Sequence, residues 1–134
     1  MDIERVRPAN LFPGAPYAYA SVAASGDLVF TAGACPLDED GVTVSPGDLE
    51  AQTERALYNL FATLAAAGSA PERVLKTTVF VVASDRSDLV RAWNVVKAGF
   101  GDVDPPSTLL GVSFLGYADQ LVEIEAIATA PRSV

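Results

Sequence analysis

Apolar residues recur along this chain at two periods, and each change of period marks an element. Across residues 49–67 the positions Leu49, Ala56, Leu57, Leu60, Phe61 and Leu64 return at helical spacing, and Gly68 supplies a stop. A second helix carries Leu89, Ala92, Trp93 and Val96 on one face; Ser84 or Asp85 caps its start, and it fades at Gly99 and Gly101. Residues 74–83 are dense in β-branched side chains and long enough for a central strand. Residues 121–130 alternate cleanly, with Val122, Ile124, Ala126 and Ala128 on one side and Leu121, Glu123, Glu125 and Ile127 on the other.

Shorter signals fill the remainder. Residues 17–23 and 28–32 read as two strands joined in a hairpin at Ser25-Gly26-Asp27. The polar turn Asp38-Glu39-Asp40-Gly41 precedes a short strand near residues 42–44, and Ser45, three residues ahead of Asp48, opens the first helix. Pro105-Pro106 forces an extended entry into a strand at residues 108–115. The order β-β-β-α-β-α-β-β predicts one two-layer α+β domain over residues 1–134, with both helices on one face of a mixed sheet. Phe30, Val79, Val81, Leu110, Val112 and Ile127 would leave the opposite face too apolar for water, so burial in an oligomer is expected there.

Charge and composition narrow the function. The net charge is −8, the nine Lys and Arg residues are scattered, and nucleic-acid binding is not expected. No apolar run is long enough to cross a bilayer, and the mixed-charge N-terminus does not read as a signal peptide. A lone cysteine, Cys35, suits a reducing cytoplasm. Histidine is absent, so acid–base work falls to carboxylates, tyrosines, the thiol or water, and a Cys–His mechanism is ruled out.

Several strings, in order, carry a resemblance. They are Pro16-Tyr17; Val29-Phe30-Thr31-Ala32-Gly33; Ala51-Gln52 with Ala56, Leu57 and Asn59; Ala66-Ala67-Gly68; the run from Val74 to Val81; and the run from Val122 to Ala128. Together they resemble the reactive-intermediate deaminase (Rid/YjgF) family, formerly endoribonuclease L-PSP, over nearly the whole chain. The resemblance implies a chorismate-mutase-like fold and a homotrimer with small-molecule clefts between neighbouring subunits. In active members the cleft hydrolyses 2-imino or 2-enamino acids without a metal or organic cofactor. An arginine clamps the substrate carboxylate, and a glutamate positions the attacking water. Residue by residue, Tyr17 matches the pocket tyrosine, Gly33 the glycine whose backbone borders the cleft, and Glu123 the water-positioning glutamate. The arginine of the family's Pro-x-Arg-Ser string is replaced: the chain reads Pro105-Pro106-Ser107-Thr108. A polar second-helix residue that lines the cleft aligns with Arg91 or Trp93.

Each assignment has a plainer alternative. Ser107 cannot supply the charge-assisted hydrogen bonds of a guanidinium, and losing the pair weakens carboxylate binding about a hundredfold or more. Arg91 could replace that cation from the second helix, or simply be an exposed helix arginine. Cys35, near the expected cleft, reads as a small buried hydrophobe more readily than as a nucleophile. Phe114 and Tyr117 could crowd the cleft and make it more apolar. Tyr17 and Tyr19 could line the cleft or pack between subunits, Trp93 is expected in the core, and Glu125 is expected to face solvent or pair structurally. Lys76, inside a central strand, is expected to reach an acidic partner. Two functions stay open: hydrolysis of an imine, enamine or related metabolite other than a free 2-imino acid, or a non-catalytic metabolite-binding or regulatory trimer. Ribonuclease activity suits an acidic chain least.

Overall fold

The computed structural model describes residues 2–132. Strand β1 (Ile3–Val6) pairs antiparallel with β2 (Ala20–Ala23) in a small two-stranded sheet. The main sheet joins β3 (Asp27–Phe30), β4 (Val74–Val82), β5 (Ser107–Val112) and β6 (Val122–Ala130) in the order β3-β6-β4-β5. Its β4–β5 pair is parallel and its other pairs are antiparallel. Helices α1 (Leu49–Ala66) and α2 (Arg86–Phe100) pack on one face. This is the expected α+β architecture.

The helices form where period and caps agree. In α1, Leu49, Ala56, Leu57, Leu60 and Leu64 are buried, and they meet Val79, Val81, Val122, Ile124, Ala126 and Ala128 from the sheet. Burying each such aliphatic side chain stabilises the fold by about 1.5–3 kcal/mol for the larger ones. The N-cap is Asp48, whose side chain accepts from Ala51 N at 3.0 Å, and not Ser45, which lies in a positive-φ turn. Asp85 caps α2 through Ser87 N at 2.8 Å. Gly68, at φ +76, lets Ser69 N reach back to Leu64 O, a left-handed stop that glycine favours.

Several short elements differ from the sequence reading. β1 was not anticipated, and the strand expected at residues 17–23 begins only at Ala20. The turn at Ser25–Asp27 does not make a hairpin, because β2 pairs with β1 while β3 pairs with β6. At residues 42–44 there is only an isolated bridge, Leu37 to Thr43. The strand expected at residues 108–115 spans Ser107–Val112. Val79 and Val81 lie on the helix face, fully buried. The open face instead presents the rows Phe30–Ile127–Lys76, Glu125–Thr78–Thr108 and Glu123–Phe80–Leu110. Phe30 is 69% exposed and Leu110 44%.

Candidate functional site

Glu123 sits on β6, facing the open side of the sheet beside the segment that follows β3. That segment is held like an extension of the strand: Thr31 N donates to Ala126 O at 3.0 Å and Ala34 N to Ile124 O at 2.7 Å. Between them lies Gly33, and a Cβ built there would overlap the Glu123 carboxylate and come within 2.6 Å of its Cγ. The absence of a side chain at residue 33 is therefore what lets the carboxylate rest against the backbone. The Cys35 thiol donates to Glu123 Oε1 at 3.2 Å, and Gln120 Nε2 donates to the same oxygen at 3.1 Å. Among the described residues Oε2 has no protein donor. One oxygen is thus fixed and the other is left for a ligand or water.

The thiol acts as a hydrogen-bond donor. Burial, then the hydrogen bond and negative charge of Glu123, push the Cys35 pKa up to about 11, with only Gln120 opposing. Polar residues of α1 hold the loop beyond it. Asn59 Nδ2 donates to Cys35 O at 2.8 Å and Leu37 O at 2.9 Å, and Arg55 Nε donates to Leu37 O at 3.1 Å. Gln52, seven residues before Asn59, is buried and ties Asp119 O and Leu121 N to the helix. A hollow of about 380 Å³ runs along Gly33 and Cys35 past Asn59 and Tyr117. Gln120 and Asn59 escaped the sequence reading as site residues. The seven-residue spacing of Gln52 and Asn59, which puts two amides on one helix stripe, was the available signal.

Tyr17 belongs to a second cluster. Its ring meets Tyr19 at 5.9 Å and Trp93 at 6.4 Å between centroids, both edge to face. Arg7 anchors this segment, donating to Tyr17 O at 2.8 Å and Ala15 O at 3.2 Å while pairing with Asp104. Trp93 thus packs against the core and meets the tyrosine edge to face. Ser107 borders the same cleft, about 500 Å³ in volume, yet its hydroxyl is bonded to Thr77 Oγ1 at 2.7 Å on the helix side of the sheet.

The two clusters stand apart within one chain. Glu123 on β6 and Ser107 on β5 are separated by β4, about 10 Å across the sheet, lie three residues out of register along it, and face opposite sides. Arg91 lies on the outer surface, bonded to Glu50 at 2.6 Å and 3.0 Å and to Asp88 at 3.1 Å. The hydrogen bonds it donates to Glu50, and that carboxylate's charge, raise its pKa further above the usual arginine range. Arg91 borders neither cleft. Phe114, in the loop after β5, is 87% exposed and also borders neither. Glu125 shares a small hollow with Lys76, Thr31 and Thr78, but Lys76 makes no ion pair among the described residues, contrary to expectation. No group of three or more Cys, Asp or Glu among those residues is placed to hold a metal. No helix among them is long and apolar enough to cross a membrane.

Known proteins share this arrangement of chain. A family model described as Endoribonuclease L-PSP matches residues 10–130. The chain is 37% identical over 110 residues to RutC family protein PH0854 of Pyrococcus horikoshii, covering 82% of this chain and 85% of that protein. It is 39% identical over 116 residues to RutC family protein UK114 of Drosophila melanogaster, covering 87% and 80%. Among solved structures, the Rid family protein YyfB from Yersinia pestis superposes with a TM-score of 0.89 at 30% identity, covering 96% of this chain and 99% of that one. Rv2704 of Mycobacterium tuberculosis, described as a YjgF/YER057c/UK114 family member, gives 0.65 at 29% identity, covering 96% and 99%. Fold, local strings and these relatives agree, and the chain belongs to the endoribonuclease L-PSP family, the Rid/YjgF group.

Proposed function

We propose that the chain assembles as a homotrimer whose inter-subunit clefts hydrolyse the C=N bond of an imine, an enamine or a related reactive metabolite that is not a free 2-imino acid. The seating of Glu123 carries this reading: one carboxylate oxygen is held by Cys35 and Gln120, and the other is open above Gly33. In the step envisaged, Glu123 Oε2 takes a proton from a water as the water oxygen bonds to the C=N carbon. Nitrogen takes a proton from solvent as the carbinolamine forms; on collapse Glu123 returns its proton to nitrogen, the C–N bond breaks, the hydroxyl proton passes to solvent, and a carbonyl compound and the amine are released. The separation of Tyr17 and Ser107 from Glu123 within one chain supports a cleft completed by a neighbouring subunit. The apolar open face, with Phe30 and Leu110, supports the same assembly. A reducing compartment such as the cytoplasm suits Cys35 as a free thiol.

The Ser107–Thr77 hydrogen bond supports the limit on substrate, because a hydroxyl so engaged offers no charge to a carboxylate next to the reacting carbon. The same observation favours a second reading, a non-catalytic metabolite-binding or regulatory trimer. Endoribonuclease activity, named in the family description, fits a chain of net charge −8 least. An amino-acid oxidase that generates 2-imino acids, followed by semicarbazone trapping, tests the substrate limit, with a neutral cyclic imine assayed in parallel. Acceleration of the cyclic imine, lost in Glu123→Gln, is expected. Acceleration of the 2-imino acid as fast as by an arginine-bearing relative would overturn the reading of Ser107, and no acceleration of either imine would favour the binding trimer.

A further inference from the structure

Lys76 owes its position to an irregularity in β4. Val74 pairs with Ala128 and Lys76 with Ile127, which leaves Leu75 unmatched as a bulge. Val74 is fully buried against the helices, and strict alternation from it would bury Lys76 on the same side. The extra residue reverses the phase. Thr77, Val79 and Val81 take the buried side, and Lys76 emerges on the open face.

There it borders the cleft of about 500 Å³ together with Tyr17, Tyr19, Ser21, Ser107 and Thr108. All five of these neighbours carry hydroxyls; those of Tyr19, Ser21 and Ser107 are engaged with Phe12 O, Arg5 and Thr77, which leaves Tyr17 and Thr108 beside the lysine. A second cation stands behind them: Arg5 donates to Ser21 Oγ at 2.7 Å and to Val74 O at 2.6 Å. Neither Arg5 nor Lys76 forms an ion pair among the described residues. Glu125, the diagonal neighbour of Lys76 on β6, does not come within ion-pair distance, and Asp104 is taken by Arg7. In a chain of net charge −8, a lysine without a contact anion in this cleft, with Arg5 bound to Ser21 and backbone oxygens behind it, describes a place prepared for negative charge.

We propose that this cleft binds a compact oxyanion, the carboxylate or phosphate group of a small metabolite, on the ammonium of Lys76. The inference rests on the function proposed above and deepens it, because it names the anionic end of the substrate. The anion is held from β4 and not from residue 107, so it belongs on a part of the ligand away from the C=N carbon.

The test titrates the whole protein with inorganic phosphate and, separately, with malonate, by calorimetry and by amide chemical shifts. Wild type, Lys76→Met and Lys76→Arg are compared, each with its assembly checked by light scattering. Binding by wild type and Lys76→Arg, weakened about tenfold or more in Lys76→Met, is expected, with shifts at Ser107 and Thr108. Preference for one probe over the other separates phosphate from carboxylate ligands. Unchanged affinity in Lys76→Met would overturn the proposal. So would dissociation of the assembly in Lys76→Met, which would make Lys76 a subunit-contact cation. Oxyanion binding without hydrolysis of any imine would count against the catalytic reading alone. Hydrolysis with no Lys76-dependent anion binding would count against this one alone.

Discussion

Cys35 and Glu123 are joined by one hydrogen bond, and each sets what the other can do. The thiol, pushed up to about 11 by burial first and by the carboxylate second, stays protonated at neutral pH. Because its folded pKa lies above the ordinary value of 9.0, its contribution to stability is complete below about pH 9 and fades as pH rises toward 11. Glu123→Gln removes the negative charge and leaves at most a weaker, neutral acceptor, so the thiol pKa falls. Alkylation of Cys35 by iodoacetamide at pH 8.5 should then run several-fold faster than in wild type. An unchanged rate would mean that burial alone governs the thiol. Gly33→Ala acts on the same pair from the other side. Its methyl takes the carboxylate's space, so Glu123 must swing out and lose its bonds from Cys35 and Gln120, which keep only Gly33 O and Val122 O. A loss of about 1–3 kcal/mol in urea unfolding is expected, with imine hydrolysis abolished.

At the level of elements, stability concentrates where α1 crosses the sheet. Leu60 is fully buried there, and Leu60→Ala should lower the unfolding free energy by about 2–5 kcal/mol. The Asp48 cap is worth about 1 kcal/mol, measurable as the loss in Asp48→Ala. Both helices and the strands β4 and β6 were legible in the sequence, because long periodic segments announce their own burial. The short strands were not. β1 has four residues, two of them charged, and its partner β2 lies fourteen residues on, so neither period nor turn reveals it. Residues 17–19 carry strand-like composition, yet Arg7, Val6 and Asp104 take up their backbone groups instead of a ladder partner. The face assigned to Val79 and Val81 failed for a related reason: one unmatched residue at Leu75 shifts the phase, and a one-dimensional pattern carries no sign of it. Of the site, Tyr17, Gly33 and Glu123 were legible through their strings. The Gln120 and Asn59 supports were not, since an amide shows its purpose only once its carbonyl or carboxylate partner is brought near.

The whole molecule exposes Phe30 and Leu110 on a sheet face that also carries Glu123. On the proposed assembly, Phe30→Asp should convert a trimer into smaller species by light scattering while the far-ultraviolet circular dichroism stays native. A monodisperse wild-type monomer would end the trimer reading. The distance between the Tyr17 and Glu123 clusters has a genetic consequence as well. When each cleft draws one cluster from each of two neighbours, Tyr17→Phe and Glu123→Gln damage different partners in the same cleft. Two defective alleles, expressed together and mixed at random, would rebuild about a quarter of the clefts intact. Each purified variant would be inactive alone, and the co-expressed pair would complement.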